Sequence, residues 1–275
     1  MTKTINSVLK FGFLILAINC TYAQTSTNER EGEFYFSWGY NTEWFSQSDV
    51  HVSQPTLGND YTLNNVNAHD HRGWDEGLFS KALTIPQYNY RIGYFFNKKR
   101  GLGVEINFDH TKYIIADQQD IQITGTQNNV PVNTTINFAD SNGFRYYLNN
   151  GANFLLFNFV KRWHWLGESS KNFKLDLIAK AGVGPVIPHV ENRFYGQANN
   201  QGFQFGGWNT GVEGVIRATL YKYIYVEYCN KYDYAQYSNL KVYQGTAKQN
   251  FHTYEMILNL GVTFPIGKKI SSKNN

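Results

Sequence analysis

The sequence predicts an all-β chain in which eight antiparallel strands close into a transmembrane β-barrel, with four long extracellular loops and short periplasmic turns. Three observations lead there. Apolar and polar residues alternate with period two from residue 33 to residue 264, as strands with two unlike faces require. Long polar connections alternate with short ones along the chain. The composition also suits lipid: 17% of the 275 residues are charged and 17% aromatic, against about 25% charged in soluble domains. A bundle of membrane helices is excluded, because mean hydropathy is −0.46 and no apolar run approaches the roughly 20 residues of a spanning helix. A disordered chain is excluded by the aromatic area that must be buried.

Taken in order, residues 1–23 read as a secretory signal peptide. Lys3 and Lys10 supply its positive region, Phe11 to Ile18 its apolar run, and Thr21-Tyr22-Ala23 the cleavage site. A lipoprotein anchor at Cys20 is the lesser alternative. Cleavage leaves Cys229 as the one cysteine, so no internal disulfide can form. It also leaves 23 basic against 21 acidic residues, too small and scattered an excess to argue for nucleic acid. Residues 24–32 form a short periplasmic segment, and the barrel spans 33–266.

The first strand carries Phe34, Phe36, Trp38 and Tyr40 on one face, and Ser37, Gly39 and Asn41 on the other. In the second, Tyr88, Tyr90, Ile92 and Tyr94 alternate with Asn89, Arg91 and Gly93. In the third, Leu102, Val104, Ile106 and Phe108 alternate with Gly103, Glu105, Asn107 and Asp109. The fourth lies within about 144–160, apolar on both faces, which leaves its register open. The fifth alternates from Phe173 to Val183. The sixth sets Val212, Ile216 and Leu220 against Glu213, Arg217 and Thr219. The seventh sets Ile224, Val226 and Tyr228 against Glu227, Cys229 and Lys231, and the eighth alternates from Tyr254 to Phe264. Short or medium turns fall at 96–101, 161–172 and 221–223, and long loops at about 46–84, 115–143, 185–205 and 235–250. Residues 267–275 form a periplasmic tail. Ten strands result instead if Ile121, Ile123, Val132, Thr134 and Ile136 make a further hairpin.

The polar face provides a test of register. A hairpin centred on residue 98 sets Arg91 opposite Glu105, and one centred on Lys222 sets Arg217 opposite Glu227 and Glu213 opposite Lys231. Such pairs also occur on the outside of a soluble sandwich. The apolar opposite face, repeated strand after strand, decides for lipid. An eight-stranded interior is just wide enough to be filled by side chains, so partnered charges there form a plug. Tyr40, Trp44, Tyr88, Trp163, Trp165, Tyr221, Tyr223, Tyr232 and Tyr234 fall near strand ends, where membrane interfaces gather aromatic rings.

The last strand carries Asn259, Gly261, Phe264 and Ile266 in a pattern that resembles the C-terminal β-signal of outer-membrane proteins. The chain as a whole is similar to small outer-membrane barrels of the OmpA/OmpX/OmpW kind, in a Tyr- and Asn-rich style like that of Bacteroidota. The resemblance implies a Gram-negative outer membrane, insertion by the barrel-assembly machinery, and contact with outer-membrane lipids and lipopolysaccharide. It assigns no activity and no cofactor.

Some barrels of this size modify lipids with a His and a nearby Ser in triad fashion. His110 and His252 are the candidates, His110 being placed by parity on the lipid face, but neither has a Ser two residues on. The first loop carries Asp49, His51 and Asp60, then His69-Asp70-His71-Arg72. His69 and His71 are weak metal candidates, whereas Asp70 and Arg72 suit loop ordering or contact with lipopolysaccharide phosphates. Asp140 to Gly143 hints at a calcium loop without its later ligands. Lys98 to Arg100 and Lys161-Arg162 read as solvated rim charges. Three functions remain: a non-enzymatic structural or surface-interaction barrel, which is favoured, a narrow channel for small solutes, or a lipid-modifying enzyme.

Overall fold

The computed structural model describes residues 30–72, 87–139, 145–148, 151–167, 172–194, 197–200 and 202–269. The signal-peptide residues and Asp140 to Gly143 lie outside this set. Among the described residues there is no α-helix, and every strand belongs to one hydrogen-bonded sheet. The strands are β1 (Arg30–Phe45), β2 (Ser48–Gln54), β3 (Asn59–Val66), β4 (Ala68–His69), β5 (Tyr88–Asn97), β6 (Leu102–Asp109), β7 (Tyr113–Ile115), β8 (Gln119–Gln127), β9 (Val130–Phe138), β10 (Arg145–Leu148), β11 (Phe154–Leu166), β12 (Phe173–Pro185), β13 (Glu191–Phe194), β14 (Gln197–Asn200), β15 (Gly207–Leu220), β16 (Ile224–Val242) and β17 (Gly245–Lys269).

Following the pairings gives the architecture. Going round, β1 pairs with β5, β5 with β6, β6 with β11, β11 with β12, and β12 with β15. Then β15 pairs with β16, β16 with β17, and β17 returns to β1, every pair antiparallel. Each alternating segment read from the sequence lies in one strand of this ring. The fourth, β11, is a single run that places Phe157 and Phe159 outward and Asn158, Val160 and Arg162 inward. Its second apolar face has a separate cause: Phe154 and Leu156 belong to a core above the ring.

That core is the main departure from expectation. The connections expected to be polar loops carry most of the remaining strands. One sheet leaves the ring at β17 and runs through β2, β3 and β8 to β9. Another leaves at β1 and runs through β4, β7, β10 and β13 to β14. Together with the overhanging ends of β16 and β17 they enclose Val50, Tyr61, Leu63, Ile123, Tyr146, Leu148, Tyr237, Leu240 and Phe251. We call this second storey the cap. The β8–β9 hairpin turns on Asn128 and Asn129, with φ of 51° and 62°, the left-handed pair that a two-residue turn needs. It pairs with β3 and joins no strand of the ring.

Inside the ring, tyrosines lie over glycines on neighbouring strands. A Cβ at Gly93 would sit 2.1 Å from the Tyr35 ring, and one at Gly261 would sit 2.2 Å from the Tyr225 ring. Only hydrogen at these positions lets the two inward rings lie flat against the wall.

Candidate functional site

The inner face of the ring is charged, and its partners are arranged in layers. At the end bearing the short turns, Arg162 binds Glu33 at 2.5 Å, and its guanidinium covers the Phe95 ring at 3.9 Å. Arg162 is therefore buried and paired, where the sequence suggested a solvated rim charge. Arg217 lies between the rings of Tyr35 (4.5 Å) and Tyr225 (4.1 Å) and donates from Nε to Glu227 at 2.6 Å. His164 Nδ1 meets Asp176 at 2.5 Å. Cations stacked on ring faces in this way gain attraction while excluding water.

In the middle layer Arg91 Nη1 donates to Glu213 at 2.7 Å and lies 3.4 Å from Glu105. Lys180 joins the same two carboxylates at 2.8 and 3.2 Å. The Tyr35 hydroxyl and Asn158 Nδ2 also donate to Glu105. In the outer layer Lys231 contacts Asp109, Asp233 and Glu255 at 2.5, 3.0 and 3.3 Å. Asn41 Nδ2 donates to Glu43 and Glu255 beside it.

These contacts correct part of the expected register. Between β5 and β6, Arg91 lies opposite Asn107 and Glu105 opposite Gly93, two residues from the expected pairing, because the turn centres beyond residue 98 and an irregularity follows Phe95. A shift of two preserves faces, so Arg91 still reaches Glu105 diagonally. Between β15 and β16, Arg217 faces Glu227 and Glu213 faces Lys231 in the ladder. The Arg217 and Glu227 side chains meet. Glu213 turns instead to Lys180, its partner on the other neighbouring strand, and to Arg91 across the lumen, while Lys231 turns to Glu255 on β17, Asp233 on its own strand and Asp109 across the lumen.

Of the residues expected to form a β-signal, Asn259 points inward and donates to Glu227 at 3.4 Å. Gly261 lies beneath Tyr225, and Phe264 and Ile266 face outward. The outward face of the ring is predominantly apolar, from Ile92 and Val104 to Val212 and Leu258, with Thr210 and Asn230 among its polar positions; the Tyr228 and Tyr254 hydroxyls donate to Asn230 Oδ1. Its far end bears ring contacts Trp44–Tyr254 (5.7 Å), Tyr232–His252 (5.4 Å) and Trp208–Tyr234 (5.6 Å). Trp165, Tyr221 and Tyr223 are exposed at the near end.

The histidine candidates are placed apart. His252 stands in the outer girdle on Tyr232 and Tyr234, and the Ser46 hydroxyl accepts from its backbone N–H, not its ring. His69 Nδ1 lies 2.7 Å from the Asp70 carbonyl, while the His71 N–H donates to Gln87. Among the described residues no cluster of His, Cys, Asp and Glu has metal-binding geometry. Asp70 orders the first loop, accepting from the Thr42 hydroxyl and the Glu43 N–H. His51 Nε2 meets Asp60 at 2.9 Å on the cap.

His110 follows the end of β6 and is buried, contrary to its expected place on an open lipid face. It stacks on Tyr88 at 4.7 Å, and its Nδ1 lies 2.8 Å from Asn153 Oδ1. Asn153 Nδ2 donates to the Ile187 carbonyl, so Oδ1 must accept and Nδ1 carries the proton. Burial pushes this imidazole down to about 4, helped by nearby Lys112 and opposed by the Asn153 bond. The unfolded group titrates near 6.5, so the folded state loses stability as pH falls from 6.5 toward 4. Full protonation costs about 3 kcal/mol. Denaturant midpoints measured across this window should fall less steeply in His110→Gln than in the wild type; parallel profiles would refute the assignment.

No family model matches the chain, and no curated protein does. Remote likenesses occur among solved structures. The attachment invasion locus protein Ail of Yersinia pestis, in complex with the heparin analogue sucrose octasulfate, is 13% identical over 85% of this chain and 99% of its own, with a TM-score of 0.33. The outer membrane protein OprG from Pseudomonas aeruginosa is 10% identical over 88% and 100%, with a TM-score of 0.40. Neisserial surface protein A is 11% identical over 84% and 97%, with a TM-score of 0.33. The chain's structural neighbours are small outer-membrane barrels. At these scores the likeness says nothing about activity.

Proposed function

We propose that the ring is an eight-stranded barrel spanning a bacterial outer membrane, non-conducting and non-enzymatic, that holds the β-structured cap outside as a platform for surface contacts. The apolar outward face, with aromatic rings at both ends, suits lipid. The short turns lie on the periplasmic side, and the C-terminal β-signal serves the assembly machinery. Lipopolysaccharide surrounds the base of the cap.

One observation carries the non-conducting part of this reading: no water-sized space touches Arg91, Asn107, Asp109, Glu227 or Glu255. Glu213, Arg162 and Lys180 are no more than 5% exposed, so little space is left in the polar storey, and the apolar cap core closes the far end. Ions would have to cross both. Purified protein in planar bilayers should therefore show no step above the empty membrane, and Arg91→Gln with Glu105→Gln should add none. A reproducible single-channel step in the wild type would overturn the platform reading and restore the channel.

A further inference from the structure

Most of the cap turns a polar face outward. On the sheet from β17 to β8 the outward side chains include Asn250, Lys248, His51, Thr62, Asn64 and Thr124. Above β15 the wall differs. Phe203 and Phe205 are 63% and 80% exposed, and Trp208 beneath them is 43% exposed. They belong to an ordered piece of wall. The Gln204 N–H donates to the Pro188 carbonyl at 3.1 Å, the Gly206 N–H to that of Val186 at 3.1 Å, and the Ser238 N–H to that of Gly206 at 2.7 Å. Residues 203–206 thus continue β15 upward between the extensions of β12 and β16.

The direction of the side chains is fixed as well. A Cβ at Gly206 would sit 2.4 Å from Pro188 and 3.0 Å from Leu240, and Leu240 is in the cap core. Gly206 therefore faces in, and its neighbour Phe205 faces out. Gly207, at φ 136°, makes the irregularity that puts Phe205 and Trp208 on one side despite their odd spacing. The Phe203 ring is braced on His189 at 5.2 Å.

We infer that this patch is a one-sided upward extension of the lipid-contacting surface, with Phe203 and Phe205 seated among acyl chains of the outer leaflet. The inference rests on the membrane reading proposed above. Continuity supports it. Val183, Val212, Trp208, Phe205 and Phe203 lie along one strip, interrupted only at Thr210, whose hydroxyl donates to the Gly182 carbonyl, whereas beyond Tyr234 and His252 the neighbouring wall turns polar. Phe205 lies three residues past Trp208, roughly 10 Å of strand, or about 7–8 Å along the membrane normal at usual tilt. Local thickening of the bilayer or a tilt of the barrel toward this side would cover that height, and both are soft adjustments.

The test places a nitroxide label at Phe203→Cys or Phe205→Cys in the full chain reconstituted in lipid vesicles. Val212→Cys serves as a mid-band control and Asn250→Cys as a cap control, while buried Cys229 stays unlabelled. Collision with oxygen, which concentrates in lipid, is compared with collision with a water-soluble nickel chelate. The expected result is that 203 and 205 follow 212 in favouring oxygen, while 250 favours nickel. If 205 follows 250 while 212 remains in lipid, the inference fails and the patch is left to water or a protein partner. If 212 itself favours nickel, the membrane reading fails with it.

Discussion

Lys231→Met should destabilise the folded chain by about 3–5 kcal/mol, the range for breaking a buried ion network by removing one side. The ammonium is the common partner of Asp109, Asp233 and Glu255, and methionine fills its stem without replacing its charge. Arg91 Nη2, at 3.6 Å from Asp109, compensates that carboxylate in part but leaves Asp233 and Glu255 without the cation they share. Against a total stability of about 5–15 kcal/mol, the loss leaves a barrel that refolds incompletely into vesicles. The measurement is the urea midpoint of the refolded protein, with Leu258→Met on the outer face as a control expected to shift it by under about 0.5 kcal/mol. Equal midpoints for Lys231→Met and the wild type would mean that the carboxylates do not depend on this cation.

The parts of the chain that were legible in the sequence share one physical property: their two faces differ. Phe34 to Asn41 and Leu102 to Asp109 announce themselves because outward residues meet an apolar surrounding and inward ones a charged interior. The cap strands do not. β9 exposes Asn133, Thr135 and Asn137 outward and Val132 and Ile136 inward, a pattern short and polar enough to read as loop. β8 and β9 were visible only as a possible further hairpin through Ile121, Ile123, Val132, Thr134 and Ile136. The lumen was half legible for a similar reason. Hairpin arithmetic finds partners close in sequence, such as Arg217 and Glu227. It cannot find Arg91 with Glu213, 122 residues apart, because that contact exists only once the ring closes. Glu33 with Arg162 was missed on the same ground, whereas Lys180 faces Glu213 on adjacent strands whose long connection offers no turn centre from which to reckon the register.

Arg217 and Glu227 allow the value of such a pair to be separated from its purpose. Arg217→Met alone should cost about 3–5 kcal/mol, since Glu227 would remain buried without its paired cation, hydrogen-bonded by Asn259. Adding Glu227→Leu should recover most of that loss, because an apolar replacement of a whole buried pair is neutral or stabilising by about 1–4 kcal/mol. A double-mutant cycle of midpoints measures the coupling, and additive losses would show that the two side chains act independently. If the pair adds little net stability, its role lies in specifying the fold. A slip of one residue would carry Arg217 and Glu227 to the outward face, where an arginine costs up to about 2–4 kcal/mol at the bilayer midplane and less toward the interfaces. The double variant, having lost that penalty, should match the wild type in midpoint yet refold to a lower final yield, because β15 and β16 could then pair in more than one register.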